Sequence, residues 1–219
     1  MLLTNRDLVK LHLGCGYHYL EGWANIDGQK TDATDEVKNL ENVFGWRDKE
    51  SVDFIFSNAF FEHLWKQSQK NHLASVRYLL KKEGVLLYMG IPYFPEIAHC
   101  YLEELPPTQP GESKFNLYNA YRYTHGDPDL GDMYQIHKSL FDEYNVTDLL
   151  RQVEFSNYFI FIYGHPKDAT PHRVTMGFCA GDSYISQEDF VSYLEYFQER
   201  EMILNNTVLI LRTDNPMPQ

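Results

Sequence analysis

The chain predicts an α/β fold: a Rossmann-like, doubly wound, mostly parallel sheet with an antiparallel C-terminal hairpin and an inserted loop-rich cap. Three observations carry that expectation. Short apolar runs alternate with stretches of helical periodicity up to Ile91, the pattern of a parallel sheet with helices on both faces. The first run, Leu8 to Leu13, opens into Gly14-Cys15-Gly16, and a second short run ends on a carboxylate at Asp27. From 92 to 135 the periodicity is lost, and Pro, Gly, Tyr and acidic residues take over.

The elements follow in order. Leu8 to Leu13 is a buried strand, Gly14 to Gly22 a turn with at most a short helix, and Trp23 to Asp27 a second strand. Parallel neighbours need about a dozen linking residues, so this crossover must be compressed. Lys30 to Asp35 reads as a weak third strand, and Val37, Leu40, Val43 and Phe44 recur at helical spacing. Val52 to Phe56 is a strand closing on Ser57 and Asn58. Ser68 to Lys82 is a helix with Ser68 as cap, Leu73, Val76, Leu79 and Leu80 as buried stripe, and Gly84 as terminator. Val85 to Ile91 is a central strand stopped by Pro92.

Beyond the cap, Ser139 with Asp142 resembles a capping box opening a helix to about Val153. Tyr158 to Tyr163 and Arg173 to Ala180 are two strands able to form a hairpin at the sheet edge. Ser186 and Asp189 cap a last helix carrying Phe190, Leu194 and Phe197. Val208 to Leu211 is apolar without a clear type, and Asp214 to Gln219 reads as a frayed tail. The whole, 1–219, is expected to be one domain, with 92–135 as substrate cap and 186–219 as a C-terminal helical extension.

Composition bounds the partners. The chain has 219 residues, 43% hydrophobic and 23% charged, which suits a globular protein with a real core. With 19 basic and 31 acidic residues the net charge is −12, which argues against nucleic acid or anionic lipid as main partner. The 3 cysteines, Cys15, Cys100 and Cys179, lie far apart without CxxC spacing, so reduced thiols in the cytoplasm are expected. The N-terminus lacks a basic-then-apolar signal pattern, and no apolar run approaches a membrane span. Exposed aromatics and the last helix admit a monomer or a homodimer.

The strand, glycine turn and strand-end acid together make a nucleotide pocket. Glycines let backbone approach a ligand, and Asp27 can bridge two ribose hydroxyls with charge-assisted hydrogen bonds. The competing reading of Asp27 is a solvated turn residue before Gly28. A dinucleotide-binding oxidoreductase fits less well. Tyr19 stands where its last glycine belongs, and Asp27 comes 13 residues after Gly14 (27 minus 14) rather than about 20.

Leu11-His12-Leu13-Gly14-Cys15-Gly16 followed by Gly22-Trp23-Ala24-Asn25-Ile26-Asp27 resembles the class I S-adenosylmethionine-dependent methyltransferases. It is similar in particular to small members associated with bacterial surface-polysaccharide biosynthesis. Phe60-Phe61-Glu62-His63-Leu64, the turn Leu79 to Leu86, and His137-Lys138-Ser139-Leu140-Phe141 add to the likeness. It covers roughly 8–91 well and 136–180 loosely. It departs at His12, where the pattern has an acid, and at His18, where it often has a third glycine.

The resemblance implies S-adenosylmethionine as cofactor and methyl transfer to an oxygen or nitrogen of a small polar acceptor. Gly14, Cys15 and Gly16 would run beneath its amino-acid part, with Cys15 as a packed small residue rather than a nucleophile. His12 would meet the methionine end. Asp35 falls where the family places an acid facing adenine; a helix N-cap is its alternative. Ser57 and Asn58 would form the pocket rim. His63 and His137 are candidate general bases, with Glu62 or a cap aspartate as orienting partner; buried structural histidines are the alternative. The substrate surface is assigned to the cap, with Tyr93, Tyr121, Tyr123 and His125 as flat polar-edged contacts and Arg122 as an anion clamp. His125, Asp127, Asp129, Asp132 and His137 match no named metal spacing, and no metal is expected. A non-catalytic relative that binds cofactor or a partner stays open.

Overall fold

The computed structural model describes residues 2–103, 115–126, 133–166, 172–203 and 207–214. Among these residues eight strands form one sheet: β1 (Lys10–Leu13), β2 (Ala24–Asp27), β3 (Glu36–Val37), β4 (Val52–Asn58), β5 (Leu80–Pro92), β6 (Asn157–Tyr163), β7 (Thr175–Gly181) and β8 (Leu209–Asp214). Their order is β3-β2-β1-β4-β5-β7-β6-β8. The first five are parallel; β7, β6 and β8 continue antiparallel. The order reverses between β1 and β4, so a crevice is expected outside their carboxyl ends.

Alternation along each strand divides the core in two. On one face Leu11, Leu13, Ile55, Leu86, Tyr88 and Ile160 meet α1 (Lys66–Leu79) and α4 (Glu143–Gln152). On the other face Phe54, Phe56, Leu87, Phe159 and Phe161 meet α5 (Gln187–Gln198), with Phe56 and Phe197 stacked at 3.8 Å. Trp23 joins that layer, and its indole N–H donates to the Tyr196 hydroxyl at 3.2 Å. The doubly wound reading therefore holds.

Several details differ from the sequence reading. Residues 37–44 form no helix, because α1 binds their backbone. His72 Nδ1 donates to the Leu40 carbonyl and the Ser75 hydroxyl accepts from the Val43 N–H. The third strand begins at Glu36 rather than Lys30. Helix α1 starts at Lys66 behind Trp65, not at Ser68. It stops at Leu79, because Ser51 N–H takes the Leu79 carbonyl and Leu80 already pairs with Val52. Gly84 thus lies within β5.

Helix α4 is capped by Asp142, which accepts from Asn145 N–H at 2.7 Å. Ser139 is no cap: it accepts from Gln69 Nε2 and donates to the Leu64 carbonyl. Ser186 caps α5 as expected. The apolar run after it becomes β8, so the C-terminal extension holds a strand as well as a helix, and the β6–β7 pair is not at the sheet edge.

The cap is more helical than its composition suggests. It contains α2 (Phe94–Glu103) and α3 (Leu117–His125), joined by a small core of Ile97, Cys100, Phe115 and Val174. Among the described residues no helix is long and apolar enough to cross a membrane.

Two buried histidines set an acid limit on stability. Burial lowers His12 and His72 from 6.5 to about 4. Above pH 6.5 both are neutral, folded or unfolded. Below it the unfolded chain takes up the protons first, so stability is lost as pH falls toward 4. Each ring contributes a slope of up to about 1.4 kcal/mol per pH unit. Urea midpoints should therefore drop between pH 7 and 4.5, and less steeply in His12→Gln. Equal slopes in the two proteins would exclude His12 as a source.

Candidate functional site

The carboxyl ends of β2, β1, β4 and β5 place Asp27, Gly14, Asn58 and Gly90 side by side along one rim of the sheet. The glycine turn is tied to this rim by backbone and side chain. Gly14 N–H donates to the Ile26 carbonyl at 2.9 Å, and Gly16 N–H donates to Asp27 Oδ2 at 2.8 Å. Asp27 Oδ1 accepts from Gln29 N–H at 2.9 Å. Both glycines adopt left-handed backbone, φ 67 and 52. A Cβ on Gly14 would meet Phe60 Cβ at 2.6 Å, whereas one on Gly16 would meet nothing within 4 Å. The turn is packed beneath and open above.

The other predicted cofactor residues lie deeper. His12 is 1% exposed; its Nδ1 pairs with Asn25 Oδ1 at 3.1 Å and its ring packs on Phe56. It braces β1 against β2 and does not reach the rim. Cys15 is buried with its sulfur toward Ala33 and Thr34. The Ser57 hydroxyl donates to the Leu13 carbonyl, clamping β4 to β1. Asp35 caps no helix, since β3 follows it. Its Oδ2 accepts from both the backbone and side-chain N–H of Asn25, at 2.9 and 3.0 Å. Asn58 alone of the Ser57–Asn58 pair faces open space, and its Oδ1 is buried with no partner among the described residues.

A cavity of about 280 Å³ lies at this rim beneath the cap. Asn58, Gly90, Pro92 and Thr175 line it from the sheet, Ala59 and Glu62 from the turn after β4, and Asn119, Arg122, Tyr123, Gln135, His137 and His165 from the other side. Of the residues expected to contact substrate, Arg122 and Tyr123 line this cavity. Tyr121 and His125, one turn apart on α3, stack on each other outside it, and Tyr121 is 41% exposed. Tyr93 is also displaced: it is 8% exposed and its hydroxyl donates to Glu143, fastening β5 to α4. Asp127, Asp129 and Asp132 lie outside the described residues.

Glu62, His63 and His137 come together at the cavity edge. Segment 136–138 is stitched onto the 3-10 turn Phe61–His63, with Lys138 N–H donating to the Glu62 carbonyl at 2.8 Å. The two imidazoles are 5.0 Å apart. His63 Nδ1 donates to the Ile136 carbonyl at 3.1 Å and His137 Nδ1 to the Tyr123 carbonyl at 2.8 Å. Burial, then the nearby His63, lowers His137 to about 4. Its ring is neutral near pH 7, with a lone pair on Nε2. Burial raises Glu62 to about 8, and Oε2 has no partner among the described residues. The sequence reading gave Glu62 only an orienting part. An acid among Phe60, Phe61 and Leu64 was the available signal. Ala59, at φ 53, is a strained non-glycine residue that turns the chain from β4 into this cluster.

The fold is the one seen in S-adenosylmethionine-dependent methyltransferases of known structure. Known structures with this fold include a Methanosarcina mazei SAM-dependent methyltransferase, 16% identical with TM-score 0.50, covering 81% of this chain and 93% of that one. Another is the Burkholderia thailandensis 1,6-didemethyltoxoflavin-N1-methyltransferase, solved with bound 1,6-didemethyltoxoflavin and S-adenosylhomocysteine. It is 13% identical with TM-score 0.51, covering 82% of this chain and 72% of that one. No family model matches the chain. No curated protein matches it by sequence.

Proposed function

We propose that the chain transfers the methyl group of S-adenosylmethionine to an oxygen or nitrogen of a small polar acceptor held under the cap. A sugar or surface-polysaccharide precursor is the acceptor class that the motif likeness favours. One observation carries this reading. Along a single rim, an open glycine turn locked to a strand-end carboxylate stands beside a cavity lined by Glu62, Arg122 and His137. The methyltransferase fold of the neighbours supports it.

The residues suit the cofactor. Gly16 leaves space above the turn, and each Asp27 oxygen, already accepting one backbone N–H, retains a lone pair for a ribose hydroxyl. When bound, S-adenosylmethionine supplies an electrophilic methyl carbon. The chain's task is placement: Arg122 attracts an anionic group of the acceptor, and Tyr123 offers a flat face. The proton released on methylation needs a base, and neutral His137, which lines the cavity, offers Nε2.

His137→Ala should lower turnover at saturating cofactor by about 100-fold, the usual scale of a general base. His63→Ala, which removes a neighbour rather than the cavity group, should lower it less. Release of S-adenosylhomocysteine with a panel of sugar and small-amine acceptors is the measurement. Equal turnover in His137→Ala and the parent would remove that residue from the chemistry.

A further inference from the structure

We propose that Glu62, His63 and His137 bind one divalent first-row transition ion of the Mn²⁺ to Zn²⁺ series, with its open coordination positions facing the acceptor cavity. One donor atom from each residue lies within 4.8 Å of the others, and His63 Nε2 is 3.8 Å from Glu62 Oε1. Donors around a common ion stand at most about 4.2 Å apart, twice a bond of about 2.1 Å, so small side-chain rotations close the set.

The histidines are already prepared as ligands. Each gives its Nδ1–H to a backbone carbonyl, Ile136 for His63 and Tyr123 for His137. That bond fixes the tautomer and leaves the lone pair on Nε2, as the outer shell of a metal site does. The third donor supplies the independent observation. Glu62 is buried, its side chain 2% exposed, and Oε2 has no hydrogen-bond partner among the described residues. A buried carboxyl without a partner is costly, and a bound cation would satisfy it. The backbone bond from Lys138 to Glu62 holds the two contributing segments in register, and that from His137 to His125 ties the second to α3.

Two imidazoles and one carboxylate favour Mn²⁺, Fe²⁺, Co²⁺ or Zn²⁺ over Mg²⁺, which prefers oxygen. Three protein ligands leave at least one position open. Because Glu62 and His137 line the cavity, that position faces the acceptor. On the methyl-transfer reading, an ion there would lower the pKa of an acceptor hydroxyl so that its proton could pass to bulk solvent, with His137 holding the ion in place of acting as the base.

The test uses the full chain stripped with a chelator and titrated calorimetrically with MnCl₂, ZnCl₂ and MgCl₂, with CoCl₂ as the optical probe. One equivalent of Co²⁺ should bind with visible d–d bands, and Mg²⁺ should bind most weakly. Glu62→Gln and His137→Ala should each weaken Mn²⁺ and Zn²⁺ by about 100-fold or more, beyond the scale of outer-shell losses. Both variants should still bind S-adenosylhomocysteine, which shows that they fold. Absence of saturable binding, or equal binding in parent and variants, overturns the site. Methyl transfer at full rate in chelated protein overturns it while leaving the proposed function intact. An ion bound by all three residues in a chain that binds no S-adenosylhomocysteine sustains the site and removes the methyl-transfer reading.

Discussion

Asp27→Ala should abolish S-adenosylhomocysteine binding and also loosen the N-terminal loop. The carboxylate does two jobs at once. Its oxygens hold Gly16 N–H and Gln29 N–H, so the turn after β1 and the turn after β2 share one anchor. Hydrogen bonds to a charged group contribute about 1.5–3 kcal/mol each, and partly exposed ones fall at the low end. For the two bonds together, a loss of about 3 kcal/mol in urea unfolding is therefore expected. The ligand effect is separate. In the parent, S-adenosylhomocysteine at 100 times its Kd should stabilise the fold by about 2.7 kcal/mol, and the melting temperature should rise accordingly. In Asp27→Ala the same ligand should produce no rise. A parent protein without any shift would remove the cofactor pocket, and a variant that shifts as the parent does would place the nucleotide away from Asp27.

Gly14→Ala should be the most damaging single-methyl addition in the N-terminal turn. The new Cβ would fall 2.6 Å from Phe60 Cβ and 2.7 Å from its Cγ, at a backbone φ of +67. Left-handed backbone with a side chain costs about 1–2 kcal/mol, and forcing a methyl into packed space about 1–3 more. Gly16→Ala has the first penalty without the second, because its surroundings are open. Urea midpoints should therefore rank parent, Gly16→Ala, Gly14→Ala. Phe60→Ala made together with Gly14→Ala should recover the steric part and leave the backbone part. If the two glycine variants lose equal stability, Phe60 does not press on the turn.

Much of the site's outline was legible from local chemistry. Asp27 and the two glycines are close in sequence to the strands that carry them, so strand, turn and acid could be read as a unit. The cap could be placed from the loss of periodicity after Pro92, and Arg122 and Tyr123 line the cavity beneath it. Roles decided by facing direction were not legible. His12 and Ser57 sit at expected pocket positions, yet both side chains bond to neighbouring strands. Tyr93, Tyr121 and Tyr123 look alike in sequence, but only Tyr123 faces the cavity.

What the sequence determined by itself is whatever depends on period and near neighbours: alternating strands, the Ser186 cap, the glycine turn, the acid at position 27. A period of two or 3.6 selects a buried face without knowing what covers it. Only the tertiary structure decided what long-range partners compete for. Residues 37–44 lost their helix to His72 and Ser75, about 30 residues on. The apolar run after α5 became a strand because β6 offered it an edge. Glu62 and His63 met His137 only because segment 136–138 folds back onto their turn. Backbone hydrogen bonds go to whichever partner the packed chain brings within reach, and that choice is made between segments distant in sequence.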